Sequence, residues 1–109
     1  MAYDEGHAEI LRADLTDDVR VEEKRMFGGL CFMLDGHMLC GVHKGGGMFR
    51  VGKERHAEAL EIEGVSEMAF TGRKMGGLVD VTDAVMADDE RRGALMALAR
   101  ENVRSLPPR

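Results

Sequence analysis

The chain has 109 residues, 44% of them hydrophobic, and a formal charge of −5 at pH 7. A chain of this length can bury a core without metal or disulfide staples, so we expect one domain over residues 1–109. The negative charge argues against direct nucleic-acid binding, because that affinity comes largely from Lys and Arg that neutralise phosphates. With no signal-peptide pattern and no apolar run near the roughly 20 residues that cross a bilayer, we expect a cytoplasmic protein with no membrane partner.

Charge is distributed unevenly along the chain. Residues 1–23 carry eight acids against two bases, whereas residues 24–56 carry six bases against two acids. A basic middle segment inside an acidic chain can hold a small anionic ligand or an acidic partner, although a solvated surface has the same composition. The candidate anion-binding residues are Arg50, Lys53 and Arg73.

The first predicted elements are a helix and a strand. Residues 3–15 repeat apolar side chains near a period of 3.6, which predicts a helix that ends before Asp17-Asp18. Val19–Phe27 alternates weakly between apolar and polar side chains and predicts a strand. We expect a bend or bulge at Gly28-Gly29, where two backbone segments come close.

A β-hairpin follows, with strands at residues 30–34 and 38–43. Asp35-Gly36 is a strong signal for a two-residue turn, because a type I′ turn requires positive φ at both positions. The turn fixes the register of the two strands. The opposed pairs are then Leu34 with His37, Met33 with Met38, Phe32 with Leu39, and Cys31 with Cys40.

Both faces of this hairpin are apolar. Alternation sends one set of side chains to each face: Leu30, Phe32, Leu34 and Leu39 to the first, and Cys31, Met33, Met38, Cys40 and Val42 to the second. A sheet with one face in water normally alternates with polar residues. We therefore expect the terminal helix or a second copy to cover the second face, and we favour an isologous homodimer through the sheet.

The remaining elements are short. We expect a turn at Lys44–Gly47, a strand at Met48–Val51, a helix at Lys53–Leu60, strands at Val65–Phe70 and Leu78–Val81, and between these two strands a glycine-rich loop at Thr71–Gly77. A last helix has Asp88 as N-cap, an apolar stripe from Leu95 to Val103, and a stop at Pro107-Pro108. The order predicts a two-layer α+β fold, an antiparallel sheet with N-terminal and C-terminal helices and a short middle helix.

Cys31 and Cys40 are the candidate redox residues. In the predicted register they form a directly opposed, non-hydrogen-bonded pair, close to the Cβ separation that a disulfide requires. The alternative is that both thiols pack as small apolar groups, since nothing in the sequence lowers a thiol pKa.

The sequence contains no motif that predicts catalysis, a metal or a cofactor. The histidines and cysteines of the hairpin lack the spacing of zinc ligands. Ser66 and Ser105 lie in no nucleophile elbow, and the glycine runs do not match a phosphate-binding loop. We therefore expect a non-enzymatic protein with no cofactor and no metal.

One stretch is distinctive: Glu23-Lys24-Arg25-Met26-Phe27-Gly28-Gly29-Leu30-Cys31-Phe32-Met33, followed by Asp35-Gly36-His37-Met38-Leu39-Cys40-Gly41-Val42. Together with Met48–Gly52, Met68–Arg73 and Arg104–Pro108, it resembles the N-terminal domain of the TfoX/Sxy family over nearly the whole chain. The resemblance implies a bacterial protein with a two-layer α+β fold.

The resemblance also implies a regulatory role. The family's founding members regulate natural competence and are thought to act at promoters with a cyclic-AMP receptor protein. We therefore expect a module that contacts a protein partner, a second copy included. The contact candidates are Arg25, Met26, Phe27, Gly28 and Gly29. The competing interpretation is that Met26 and Phe27 are core residues and that Arg25 is a structural ion-pair partner. The alternative function is a ligand-binding or enzymatic module that holds a small anion with the basic middle segment.

Overall fold

The computed structural model describes residues 4–16, 20–26, 29–43, 45–70 and 73–106. These residues form α1 (Glu5–Asp14), β1 (Val21–Met26), β2 (Gly29–Leu34), β3 (His37–His43), β4 (Gly46–Arg50), α2 (His56–Leu60), β5 (Val65–Phe70), β6 (Arg73–Val81), α3 (Asp83–Ala87) and α4 (Asp89–Arg104). The strands make one antiparallel sheet in the order β1-β2-β3-β4-β6-β5. The predicted α+β fold, with helices at both ends and a short middle helix, is confirmed.

Side-chain caps fix where the long helices begin. The Asp4 carboxylate accepts a hydrogen bond from the backbone N–H of Gly6 at 2.7 Å, at the start of α1. The Asp88 carboxylate accepts from the backbone N–H of Glu90 at 2.9 Å and of Arg91 at 3.2 Å, as the sequence predicted for the last helix. A cap of this kind stabilises a helix by about 1 kcal/mol.

The glycine-rich segments differ most from their prediction. β6 begins at Arg73 and β4 at Gly46, so much of the predicted loop Thr71–Gly77 and the end of the predicted turn are strand. A Cβ on Gly46 would lie 2.2 Å from the carbonyl oxygen of Val81. Gly46 also has a φ of 144°, so glycine is required here both by the close approach of two strands and by the backbone conformation. The five-residue α3, capped by the Thr82 hydroxyl, was not predicted.

Two apolar clusters lie on opposite faces of the sheet. The larger contains side chains from all four helices and from one sheet face, which we call the helix face; Leu11, Phe32, Phe49, Val85 and Leu95 are examples. The smaller contains Cys31, Met38, Met48 and Leu78, with Met33 at its margin, on the opposite face, which we call the outer face. The predicted apolar character of both hairpin faces is confirmed.

The hairpin turn is as predicted, but the register changes beyond it. Asp35 and Gly36 have φ values of 54° and 83°, as a type I′ turn requires. The pairs Leu34–His37 and Met33–Met38 are confirmed. A register shift between Phe32 and Met33 then follows.

The shift places one extra residue in β3, so Phe32 opposes Cys40, and Cys31 opposes Gly41. The predicted pairs Phe32–Leu39 and Cys31–Cys40 are therefore wrong. A bulge lets two successive side chains share a face. Leu39 and Cys40 both enter the larger cluster, and Val42 follows them, so Cys40 and Val42 lie on the helix face instead of the predicted second face.

The apolar cluster of the outer face is buried without a second copy. Cys31 and Met48 have no exposed surface in the single chain, and Leu78 has 5%. Burial of this apolar face therefore gives no reason for the predicted isologous dimer through the sheet, which stays a prediction. None of the described helices is long and apolar enough to cross a membrane.

Candidate functional site

The segment that resembles the family motif begins on an edge strand of the sheet. Within the described strands, β1 pairs with β2 alone. Its charged residues Glu22, Glu23, Lys24 and Arg25 are all exposed. An edge strand presents unpaired backbone N–H and C=O groups on its outer side, which makes it a template for a further strand. We call Val21–Met26 the β1 edge and treat it as the candidate contact surface.

The β1 edge is regular. Its pairing with β2 runs through six consecutive residue pairs without a register shift. Glu22 and Lys24 oppose outer-face residues of β2 and therefore lie on the outer face, whereas Val21, Glu23 and Arg25 lie on the helix face. The strand thus presents opposite charges two residues apart on one face.

Arg12 of α1 holds Glu23 in place. Its Nε and Nη2 donate to the two carboxylate oxygens of Glu23 at 2.7 and 2.9 Å, and its Nη1 donates to Glu9. The hydrogen bonds from Arg12 lower the pKa of Glu23. The side chains of Glu22 and Lys24, by contrast, make no hydrogen bond or ion pair with any described residue, so their charges are available to a partner.

The five predicted contact residues have different positions. Arg25 is exposed on β1. The side chain of Met26, and Phe27 and Gly28 entirely, lie outside the described residues. Gly29 is buried and begins β2 instead of forming a bend; a Cβ there would lie 2.0 Å from the carbonyl oxygen of Val42. The predicted close approach is confirmed for Gly29, whose role is to let β2 pack against β3.

The opposite edge of the sheet is irregular. β5 pairs with β6 through a register shift between Glu67 and Ala69. The helix α2 packs against β5 and β6, and the His56 ring lies 3.6 Å from the Glu67 carboxylate. The helix lies on the helix face of the sheet, where its Ala59 joins the larger cluster, so the irregular pairing is what distinguishes this edge. Irregular pairing is one device by which proteins make an edge less suited to a further strand. The two edges of the sheet therefore differ in their availability.

A pocket of about 530 Å³ lies between the end of β4, the segment before α2 and the last turns of α4. Two predicted anion-binding residues, Arg50 and Lys53, line it. The third, Arg73, begins β6, and its side chain lies outside the described residues. An anion-binding function predicts a concave pocket lined by two or more of Arg25, Arg50, Lys53 and Arg73, and two of them border this one.

The two basic residues enter this pocket differently. Arg50 opposes Leu78, an outer-face residue, so its side chain leaves the sheet on the face opposite to α4. Its carbonyl oxygen instead accepts from Asn102 Nδ2 at 3.4 Å. Lys53 is exposed and makes no ion pair with a described residue, whereas Arg55 donates to Glu58 and Glu101 at 3.0 and 2.8 Å. The structure therefore does not show Arg50 and Lys53 converging on one point.

The cysteines lie on opposite faces of the sheet. Cys31 belongs to the outer-face cluster and Cys40 to the larger cluster, and both are free thiols. Burial raises the pKa of Cys31 to about 11 and raises the pKa of Cys40 further. Buried thiols with raised pKa values are poor nucleophiles. Because the two thiols lie on opposite faces, the directly opposed arrangement that suggested a redox pair is also absent.

His43 connects the β3–β4 turn to β6 by hydrogen bonds. Its Nδ1 accepts from the backbone N–H of Gly45 at 3.0 Å, and its Nε2 lies 2.5 Å from a carboxylate oxygen of Asp80. Because Nδ1 accepts, Nε2 carries the proton and donates it, which leaves the neutral ring without a free acceptor. Across the described residues, no group of three or more His, Cys, Asp or Glu is placed to hold a metal ion.

Glu22 and Lys24 are the surface residues that sequence reasoning missed. Their signal is a run of four charged residues in the first strand of an antiparallel sheet, with opposite charges at i and i+2. That signal becomes informative only when β1 is known to be an edge strand.

Comparison with known proteins agrees with the resemblance. No curated protein and no solved structure matches the chain. The family model of the TfoX N-terminal domain matches residues 14–103, which include all six strands and nearly all of α4. The chain therefore belongs to the TfoX N-terminal domain family.

Proposed function

We propose that this domain is a regulatory module that acts by contact with another protein through the β1 edge. The observation that supports this function best is the unequal treatment of the two sheet edges. β1 is regular, exposed and charged, and it leads directly into the segment most typical of the family. Strand addition at such an edge provides affinity through backbone hydrogen bonds and specificity through alternate side chains.

The contact role needs no reactive side chain. The two thiols are buried with raised pKa values, and His43 has both ring nitrogens engaged. The β1 edge offers charge and backbone hydrogen-bonding groups instead. This chemistry suits recognition of an extended peptide segment.

Site-specific photocrosslinking in cells that produce the protein tests this function. A photoreactive residue at Glu22, on β1, is expected to crosslink to a discrete protein partner. The matched control places it at Ser66, which is exposed on β5. Equal crosslinking from both positions, or none from Glu22, would contradict the proposal.

A second candidate function is binding of a small anionic ligand, which the pocket bordered by Lys53 and by the backbone of Arg50 supports. Its volume of about 530 Å³ lies within the range of small-molecule sites. Inorganic phosphate would then raise the melting temperature of the protein, because a ligand that binds only the folded state stabilises it. Lys53→Gln should abolish that rise and Lys24→Gln, an exposed lysine on β1, should keep it; no rise at millimolar phosphate would argue against phosphate as the anion.

A further inference from the structure

Resting on the proposed contact function of the β1 edge, we infer that its partner is a second copy of this chain. The two β1 strands pair antiparallel across a twofold axis and join the two sheets into one. Three observations carry this inference: the regular pairing of β1, the charges of Glu22 and Lys24, which no described residue pairs, and the fixed position of Glu23. None of them depends on the apolar outer face.

Geometry limits the register of such a pair. An antiparallel edge-to-edge pair has its twofold axis normal to the sheet, so the helix faces of both copies lie on the same side. Directly opposed residues share a face of the sheet. Since side chains alternate along a strand, the axis must pass through a residue of β1 and not between two residues. The central candidates are Glu23 and Lys24.

The register centred on Glu23 is complementary in charge. It places Glu22 opposite Lys24 of the second copy and, by symmetry, Lys24 opposite Glu22 of the second copy. These are two cross-strand ion pairs on the outer face, made by side chains that have no described partner within their own chain. Arg25 then opposes Val21, which creates no charge conflict.

The like charges at the axis are compensated in this register. The two Glu23 carboxylates would face each other, but each accepts two hydrogen bonds from its own Arg12, at 2.7 and 2.9 Å. The register centred on Lys24 would place Glu23 opposite Arg25 of the second copy, but Glu23 already has its own Arg12 as partner. That register would also oppose two lysines that no described carboxylate neutralises, and it would leave Glu22 opposite Met26. The charges of the chain therefore favour the Glu23 register.

The expected dimer is weak. Six residues at a strand edge bury less surface than the roughly 1,200 Å² of a standard stable interface. Sedimentation velocity from about 10 µM to about 1 mM should therefore show a concentration-dependent shift from monomer to dimer. A sample that stays monomeric throughout this range would overturn the self-pairing.

Charge exchange tests the register. Lys24→Glu replaces both ion pairs by like-charge pairs and should raise the dissociation constant about tenfold or more. The double variant Glu22→Lys with Lys24→Glu restores both pairs with reversed polarity, so its dissociation constant should return close to that of the unmodified chain. Because all these side chains are exposed, circular dichroism and melting temperature should be unchanged and serve as the folding control.

Arg104→Glu is the matched control for charge. It makes the same change of charge at an exposed position in the last turn of α4, away from β1, and should alter the dissociation constant little. Equal weakening by Arg104→Glu and Lys24→Glu, or no recovery in the double variant, would overturn the proposed pairing. A monomeric protein that still crosslinks to a different protein from position 22 would refute self-pairing and leave the contact function intact, whereas loss of both would refute the two together.

Discussion

The two edges of this sheet are built differently. β1 opposes its neighbour through six consecutive pairs and exposes four charged side chains, whereas the pairing of β5 with β6 is interrupted by a register shift whose extra residues lie in β6. Proteins close a sheet edge with bulges, covering elements or charge. Here the β5 edge has the first device, an interrupted pairing with β6, and β1 has the third. Because charge repels some partners and attracts others, the β1 edge is selective, whereas the β5 edge lacks the regular pairing that a further strand would extend.

Of the substitutions proposed, Gly29→Ala should lower the free energy of unfolding most. The added Cβ would meet the carbonyl oxygen of Val42 at 2.0 Å, and a backbone group cannot move aside without disrupting β2 and the strand beside it. We expect a loss of about 3 kcal/mol in the free energy of unfolding, measured by urea denaturation.

Gly93→Ala is the control for that substitution. Gly93 lies within α4 and has no neighbour within 4 Å of an added Cβ. Alanine is the better helix former, so this variant should gain about 0.5 to 1 kcal/mol. A Gly29→Ala protein as stable as the original would show that β2 and β3 do not approach as closely as the structure has them.

Replacing Arg92 tests the helical layer that carries Arg12 to β1. Arg92 is only 6% exposed and donates to Asp14 of α1 at 2.7 Å, to Asp89 at 2.6 Å and to the Met86 carbonyl at 2.7 Å. Arg92→Met leaves these acceptors without their donor, and we expect a loss of about 2 kcal/mol by thermal unfolding.

The exposed Arg104 provides the comparison for Arg92. Arg104→Ala, at the last turn of the same helix, should change stability by less than about 0.5 kcal/mol. If both substitutions had equal effects, the buried network around Arg92 would not be a specific link between α1 and α4.

The Arg12–Glu23 pair should make a small, pH-dependent contribution. Arg12 lowers the pKa of Glu23, so the pair stabilises the folded state above the ordinary glutamate pKa of 4.5, and this stability is lost as the pH falls through the lowered value. Both side chains are more than a third exposed, and we expect less than about 1 kcal/mol. The stability difference between the original chain and Arg12→Gln should be present at pH 7 and vanish near pH 2; a difference constant with pH would contradict this origin.

The two cysteines should not form a disulfide in the folded protein under oxidising conditions. They lie on opposite faces of the sheet, and burial raises both pKa values, to about 11 for Cys31. In the folded protein, neither thiol should react with a disulfide reagent at pH 8, and both should react after denaturation. Mass spectrometry that finds a rapid Cys31–Cys40 disulfide in the native protein would contradict the observed register.

Local signals predicted much of this fold. Asp35-Gly36 predicted its turn because positive φ is a property of those two residues, and Asp88 predicted the start of α4 because a cap acts over one turn. The register shift at Leu39 depends on how side chains distant in sequence pack in the larger cluster, and no local sequence pattern predicts that packing. The glycines at 46 and 77 were assigned to loops because close approach and tight turns select the same residue.

Only part of the candidate site could be predicted from the sequence, because the rest depends on how the strands are arranged. Arg25 was identified from the family resemblance, and the charge of the middle segment indicated Arg50 and Lys53. Glu22 and Lys24 become contact candidates only when the strand order shows that β1 is an edge and when the face of each side chain is known. The sequence alone gives neither. Arg50 shows the reverse case, because alternation places its side chain away from the pocket that its backbone borders.

Amide hydrogen exchange of both edge strands, at a low and a high protein concentration, decides whether the β1 edge is the open one. The outward-facing amides of β1 should become protected as the concentration rises, while those of β5 keep the same rates. Rates at β1 that do not change with concentration, or protection that appears at β5 instead, would show that the unequal edges do not have the role assigned to them.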